Sequence, residues 1–308
     1  MRLPTLRQLQ YLTAVVDEKH FGHAAEKCFV TQSTLSAGIQ DLEELLEVSL
    51  LERTNRKVLP TAIGEEIAGR ALQILSLSED LVDLAQSERN PLSGRIQVGI
   101  IPTISPFLLP KVLPTVRQQL PDLEIVLIED QSERLLDKLE AGSIDVAVLA
   151  FPFNIRGLTH RIFAREPFWV AVPKQHRLAK KKVLKASELP TNELLLLAEG
   201  HCMREHALSA CQLPASAQRR SVQATSLYTL IEMVASGLGI TLIPDMAINS
   251  DMVSHSDISL VPLENKDDQA TREIGLIWRP SFRRTQTLEQ LAQTVSDALE
   301  DTDYSLRA

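Results

Sequence analysis

The stretch EGHCMREHALSAC, Glu199 to Cys211, carries two of the chain's three cysteines, Cys202 and Cys211, nine positions apart. A thiolate attacks the O–O bond of a peroxide and leaves a sulfenic acid on which a second thiol condenses. Gly200 and His201 read as a loop-to-helix entry that puts Cys202 in the first helical turn, where backbone N–H groups favour the thiolate. His201, Arg204 and His206 add positive charge in that reading. The spacing sets a geometric obstacle. Nine residues of helix rise roughly 13 Å, and nine steps of about 100° turn the second side chain to the opposite face. Disulfide partners need their Cα atoms within about 7 Å. Either these are two unrelated buried thiols, a common state of cysteine, or joining them requires the segment to refold. Cys28 is read as core packing. The spacing of His201, Cys202 and His206 forms no recognised zinc pattern, and no metal or cofactor is expected.

The composition says what surrounds this segment. The chain has 308 residues, of which 44% are apolar and 23% charged, which describes globular domains with room for two or three cores. No apolar run approaches the length of a membrane helix. The N-terminal MRLPTLRQLQYL lacks the apolar core and cleavage site of a signal peptide, so a cytoplasmic chain is expected. In a reducing compartment a functional cysteine pair is redox-active rather than structural. The net charge of −8 gives no sign of nucleic-acid binding, so any DNA role must rest on local features.

Those local features sit in the first sixty residues. Leu6, Leu9, Leu12, Val15 and Val16 have helical spacing behind a capping box of Thr5 and Gln8. Phe21 to Cys28 gives a second short helix in which Ala24 and Ala25 permit close approach. Thr31 caps a third, with Leu35, Ile39 and Leu42 as its buried stripe. Ser33, Ser36, Ala37 and Gln40 then share a small polar face that fits a major groove. In LLERTNRKVLPT, Arg53, Arg56 and Lys57 belong to a hairpin wing whose cations contact phosphates. Helix, helix, turn, helix and basic wing make a winged helix-turn-helix, against the plainer reading of a generic three-helix bundle.

From Thr61 to about Glu88, Ile63, Ile67, Ala71, Ile74, Leu81 and Leu84 mark one long helix with a single apolar stripe, which needs a partner such as a second copy. Ser87 to Gly94 reads as a hinge. Beyond it, strands and helices alternate through RIQVGII, LEIVLIED, SIDVAVLA, PFWVAVP and ELLLLAEG, which predicts a parallel sheet covered by helices. REIGLIWRP is expected to return to the first lobe, giving two α/β lobes joined by crossing strands. Thr103 follows the first strand and Ser132 the second, so both should edge the cleft between lobes. Their hydroxyls could donate to the oxygen leaving a peroxide.

The segment from FGHAAEKC through TQSTLSAGIQDLE to LLERTNRKVLPTAIG resembles the N-terminal domain of LysR-type transcriptional regulators over nearly sixty residues. Ser33 stands where that family usually has proline, and Gln40-Asp41 where basic residues are usual. The resemblance implies an N-terminal all-α winged helix-turn-helix (1–60), a linker and dimerisation helix (61–88) and a hinge (89–94). An α/β regulatory domain of two lobes (95–308), similar to bacterial solute-binding proteins, completes it. Lobe I covers about 95–166 and 270–300, and lobe II about 167–269. Arg7, Gln32, Ser33, Thr34, Ser36, Gln40, Arg53, Arg56 and Lys57 become the expected contacts to double-stranded DNA.

Segments such as IPTISPFLLP, EGHCMREHALSAC and ATSLYTLIEMVASGLGITLIP are further similar to peroxide-sensing members of that family. This implies that Cys202 is the sensing thiol and Cys211 its resolving partner, in a Cys202–Cys211 disulfide. Thr103 would bind peroxide, Ser132 would replace a second threonine of the family while keeping its hydroxyl, and Arg272 would favour the thiolate. Hydrogen peroxide, RNA polymerase, a thiol reductant and further copies of the chain, as a dimer pairing to a tetramer, are the implied partners, and no membrane. The chain is then not an enzyme. Two rivals are a LysR-type regulator with a metabolite in the cleft and a thiol peroxidase.

Overall fold

The computed structural model describes residues 3–53, 58–87, 92–211, 224–264 and 270–300. They fall into two compact units, Met1–Arg89 with Lys138–Ser143, and Asn90–Asp137 with Ile144–Ala308.

The first unit opens with α1 (Leu6–Glu18), α2 (Phe21–Lys27) and α3 (Gln32–Leu46). The expected capping box is present: the Thr5 hydroxyl accepts from the Gln8 N–H at 3.2 Å, and the Gln8 side chain accepts from the Thr5 N–H at 2.9 Å. Leu35, Ile39 and Leu42 of α3 are fully buried, and burying each such side chain is worth about 1.5–3 kcal/mol. Gly38 lets α3 close on α1, because a Cβ there would lie 2.7 Å from the Tyr11 ring. Cys28 ends α2 half-buried against this core, with its thiol pushed up by burial. The hairpin of β1 (Leu51–Arg53) and β2 (Val58–Pro60) follows. Glu43 ties it to α3, its Oε1 accepting from the N–H groups of Leu50 and Leu51 at 2.7 and 3.2 Å. The long helix α4 (Ala62–Ser87) carries the expected stripe unevenly. Ala71 is buried, whereas Ile63, Ile74, Leu77, Leu81 and Val82 are exposed.

The second unit is built on one seven-stranded sheet. Its strands are β3 (Gly94–Ile100), β4 (Leu123–Glu129), β5 (Val146–Phe151), β6 (Thr159–Pro173), β7 (Thr241–Pro244), β8 (Ile258–Pro262) and β9 (Thr271–Trp278). The order is β4-β3-β5-β9-β6-β7, with β8 also paired to β6. Helices α5 (Ser105–Gln119), α6 (Ser132–Ala141, of which the residues from Lys138 on fall in the first unit), α7 (Cys202–Ala210), α8 (Leu227–Ala235), α9 (Asp251–Ser254) and α10 (Thr285–Glu300) complete it.

The expectation of a parallel sheet needs correcting. Only β4, β3 and β5 run parallel, and β9 enters antiparallel between β5 and β6. A returning strand inserts where its register fits, and local sequence patterns carry no direction. ELLLLAEG forms only isolated bridges, Leu194 to Ile240 and Leu197 to Ala224. PFWVAVP does not begin a strand but continues β6. That strand pairs with β9 from Thr159 to Pro167 and with β7 and β8 from Phe168 onward, so it passes from one lobe into the other. No helix among the described residues is long and apolar enough to cross a membrane, and none of their His, Cys, Asp and Glu side chains form a metal-holding group.

Candidate functional site

The polar face of the first unit is that of α3. Gln32, Ser33, Thr34, Gln40 and Asp41 are exposed, with Ser36 half-buried. The Thr31 hydroxyl accepts from the Thr34 N–H at 3.2 Å, and it also engages the hydroxyls of Ser33 (2.9 Å) and Thr34 (2.8 Å). Ser33 and Thr34 therefore serve the cap as well as the surface. Arg7 is exposed and donates from Nε to the Tyr11 hydroxyl at 3.1 Å. Arg53 ends β1; its side chain, and the whole of Arg56 and Lys57, lie outside the described residues.

The cysteine segment is helical as expected. Cys202 is the first residue of α7 and Cys211 its C-terminal cap, and both are buried free thiols. His201 is the N-terminal cap residue but makes no side-chain capping bond. Gly200 has φ +90° and lies so close to Gln131 that a Cβ would sit 2.7 Å from its Oε1. Any other residue there would be strained and crowded at once. Gln131 in turn meets His201 through side-chain nitrogens 3.2 Å apart.

Around the Cys202 sulfur three elements converge. Ser132, at the start of α6, is buried; its hydroxyl makes no ordinary hydrogen bond within the protein and lies close enough to favour the Cys202 thiolate. The Ala150 backbone on β5 acts in the same direction. Arg272, on β9 and fully buried, supplies the cation. Its Nη1 donates to the Thr103 hydroxyl at 3.1 Å, its Nη2 to the Thr103 carbonyl at 3.0 Å and its Nε to Glu166 Oε1 at 2.7 Å. Glu166 Oε2 accepts from the Met246 N–H at 2.7 Å. Thr103, Ser132, Cys202 and Arg272 thus share one buried cluster.

The electrostatics differ from the sequence reading. Burial is the largest influence on Cys202 and pushes the thiol up, against the pull of Ser132, Arg272 and Ala150. Burial also lowers His201, and takes His206 down to about 4, so both rings are neutral at pH 7 and add no positive charge. His206 Nε2 donates to the Pro152 carbonyl at 2.9 Å. Arg204 is buried and directed to the Leu197 carbonyl at 3.5 Å. Burial pushes Cys211 up to about 12, which leaves it a thiol while α7 is wound.

Two family models cover most of the chain. The bacterial regulatory helix-turn-helix of the LysR family matches residues 6–65, and the LysR substrate binding domain matches 89–300. The chain belongs to the LysR family. It is a DNA-binding transcription regulator, not an enzyme. Among curated relatives it is similar to the HTH-type transcriptional regulator EstR of Acinetobacter baylyi, at 42% identity over 279 residues (91% of this chain and 92% of that one). It is likewise similar to the DNA-binding transcriptional dual regulator OxyR of Escherichia coli, at 35% over 290 residues and 94% of each chain. Among solved structures, a full-length OxyR variant from Pseudomonas aeruginosa has a TM-score of 0.77 at 34% identity, covering 96% of this chain and 98% of that one. A hydrogen-peroxide-bound OxyR mutant from Corynebacterium glutamicum gives 0.66 at 34%, covering 97% and 94%.

Three partners within this LysR-type site escape a reading of motifs. Glu166 is one, although an acidic residue beside the apolar run from Phe168 to Val172 carries some signal, since such a group rarely buries without a cation. Gln131 gives none. Asp245, buried and accepting from Trp169 Nε1 at 2.7 Å, stands beside Met246 and is equally silent in the sequence.

Proposed function

We propose that this LysR-type regulator senses hydrogen peroxide through Cys202. The observation that carries the reading is the cluster itself: a buried thiol at a helix start, the Ser132 hydroxyl close to it and the Thr103–Arg272 pair beside it. The Cys202 thiolate attacks one peroxide oxygen, forming S–O as O–O breaks, and the departing oxygen leaves as hydroxide that takes up a proton to become water. Ser132, Thr103 and Arg272 provide donors for that oxygen. The sulfenic acid then condenses with the Cys211 thiol, forming S–S and releasing a second water. Two electrons pass from the thiols to the peroxide, and a thiol reductant returns them at reset. A thiolate at Cys202 needs the cluster's help, because burial alone disfavours it.

Cys211 reaches Cys202 only if α7 unwinds, so oxidation changes the shape of residues 95–308. The change is passed on to residues 1–60, which bind DNA through α3 and the wing, and alters transcription of oxidative-stress genes in the cytoplasm. Residues 89–91, half of the expected hinge (89–94), lie outside the described residues. The exposed apolar residues of α4 support pairing of two chains along the linker helix (61–88), and pairing of dimers gives a tetramer that meets RNA polymerase. Relatives named for hydrogen peroxide support this reading, the activator of Haemophilus influenzae at 35% identity among them. The relative at 42% identity bears a regulator's name without reference to peroxide, which favours a metabolite in the cleft as the second reading.

Footprinting of Cys202→Ser with and without peroxide separates the two. The variant is expected to bind DNA as the wild type does and to ignore peroxide. A footprint that still shifts with peroxide in Cys202→Ser sinks the proposal, and a soluble ligand that shifts it without oxidant establishes the rival.

A further inference from the structure

The proposed reaction uses Arg272 and leaves its partner unexplained. Glu166 and Arg272 are both fully buried, and they face each other as direct partners across β6 and β9. Both carboxylate oxygens accept N–H donors, Oε1 from Arg272 and Oε2 from Met246, and these bonds with the guanidinium charge hold the carboxylate form against the burial that pushes Glu166 up. The guanidinium is divided among three acceptors on two other elements: Glu166, the Thr103 hydroxyl and the Thr103 carbonyl. A buried ion pair of this kind adds little to stability compared with an apolar pair of the same volume. Its presence beside a reactive sulfur calls for another role.

We infer that Glu166 is a positioning residue that sets the reactivity of Cys202, by fixing the orientation of Arg272 and offsetting its charge at the sulfur. This rests on the reading of Cys202 as the sensing thiol. An isolated guanidinium in that position would favour the Cys202 thiolate more strongly against the burial that pushes the thiol up. Paired with Glu166, it presents a weaker field, and the thiol waits for a substrate small enough to reach the Ser132 and Thr103 hydroxyls. Among the described residues, few other charged or titratable groups face the cluster, and His201 beside Cys202 is held toward its neutral form by burial. Glu205 on α7 opposes the thiolate, His206 on α7 is neutral at pH 7, and Asp245 acts on Glu166 itself.

The test measures alkylation of Cys202 by iodoacetamide against pH, in the reduced full-length chain, with the modified cysteine identified by mass spectrometry. Glu166→Gln uncovers one unit charge. That raises thiolate reactivity on the order of tenfold and moves the pH midpoint down. Adding Arg272→Gln to it abolishes the gain. An unchanged midpoint in Glu166→Gln overturns the inference, and so does a gain that survives in the double variant, since looser packing rather than charge would then be its cause. Should Glu166→Gln fail to fold with its lone buried cation, the double variant has no such cation. An offset pair predicts a rate within about threefold of wild type for the double variant, and a loss of tenfold or more contradicts it. Alkylation involves no peroxide. A wild-type chain that ignores peroxide would sink the sensor reading and leave the effect of Glu166 on the thiol standing.

Discussion

Two helices of this chain begin with the residues expected to do chemistry, and they are secured in opposite ways. In α3 the Thr31 hydroxyl closes the N-terminus, three fully buried residues line one face, and the polar face is left to the solvent. In α7 seven of nine residues are buried, Arg204 and His206 among them, while the N-terminal cap residue makes no side-chain capping bond. A nine-residue helix does not hold itself together in water, so α7 exists because its surroundings pack around it. The first arrangement keeps a surface constant. The second makes a short helix depend on its burial, and an event at Cys202 that disturbs the packing removes its support.

The largest expected difference between the two regions is in acid. His206 is buried neutral with its pKa near 4, against 6.5 unfolded. The unfolded chain therefore binds the proton first. Stability contributed by the neutral ring is complete above pH 6.5 and is lost as the pH falls through about 4, amounting to about 3 kcal/mol. Urea unfolding of the wild type and of His206→Gln at pH 7 and pH 4.5 measures it, because the acid limb of the variant should be shallower. Identical limbs would mean that α7 does not carry this cost. His201, lowered by burial as well, adds to the same limb.

Smaller effects sharpen the contrast. Thr31→Ala removes the α3 cap and is expected to cost about 1 kcal/mol, read by urea unfolding of the first unit. A cost near zero would show that the α3 cap is redundant. Hydrogen exchange then compares the two helices without mutation. Amides of α7 should exchange through local opening at least about tenfold faster than those buried along Leu35 to Leu42. Equal protection would break the distinction between a helix held by its ends and one held by its burial.

The same contrast explains what the sequence discloses. The elements of α1 to α3, their caps at Thr5 and Thr31, and the helical state of Cys202 to Ala210 follow from periodicity and end signals a few residues apart. The antiparallel entry of β9 does not, because pairing direction is decided between distant segments. The charge at the thiol divides in the same way, since Arg272 is expected there only through the family resemblance and the sequence neighbours mislead. His201, Arg204 and His206 are cationic neighbours in sequence, but burial neutralises the two rings and Arg204 points to Leu197, while the acting cation comes from Arg272, seventy positions on. Glu166 is visible in principle as a charge at the edge of an apolar run. Gln131 and Gly200 acquire meaning only once α6 and α7 are side by side.

The most direct test of the central claim is disulfide mapping of the reduced chain after about one equivalent of hydrogen peroxide, with free thiols alkylated at the quench. The account predicts a dominant Cys202–Cys211 cross-link with Cys28 still free, which requires α7 to open. Oxidation that leaves Cys202 no more modified than Cys28 would contradict it and return both α7 thiols to the core.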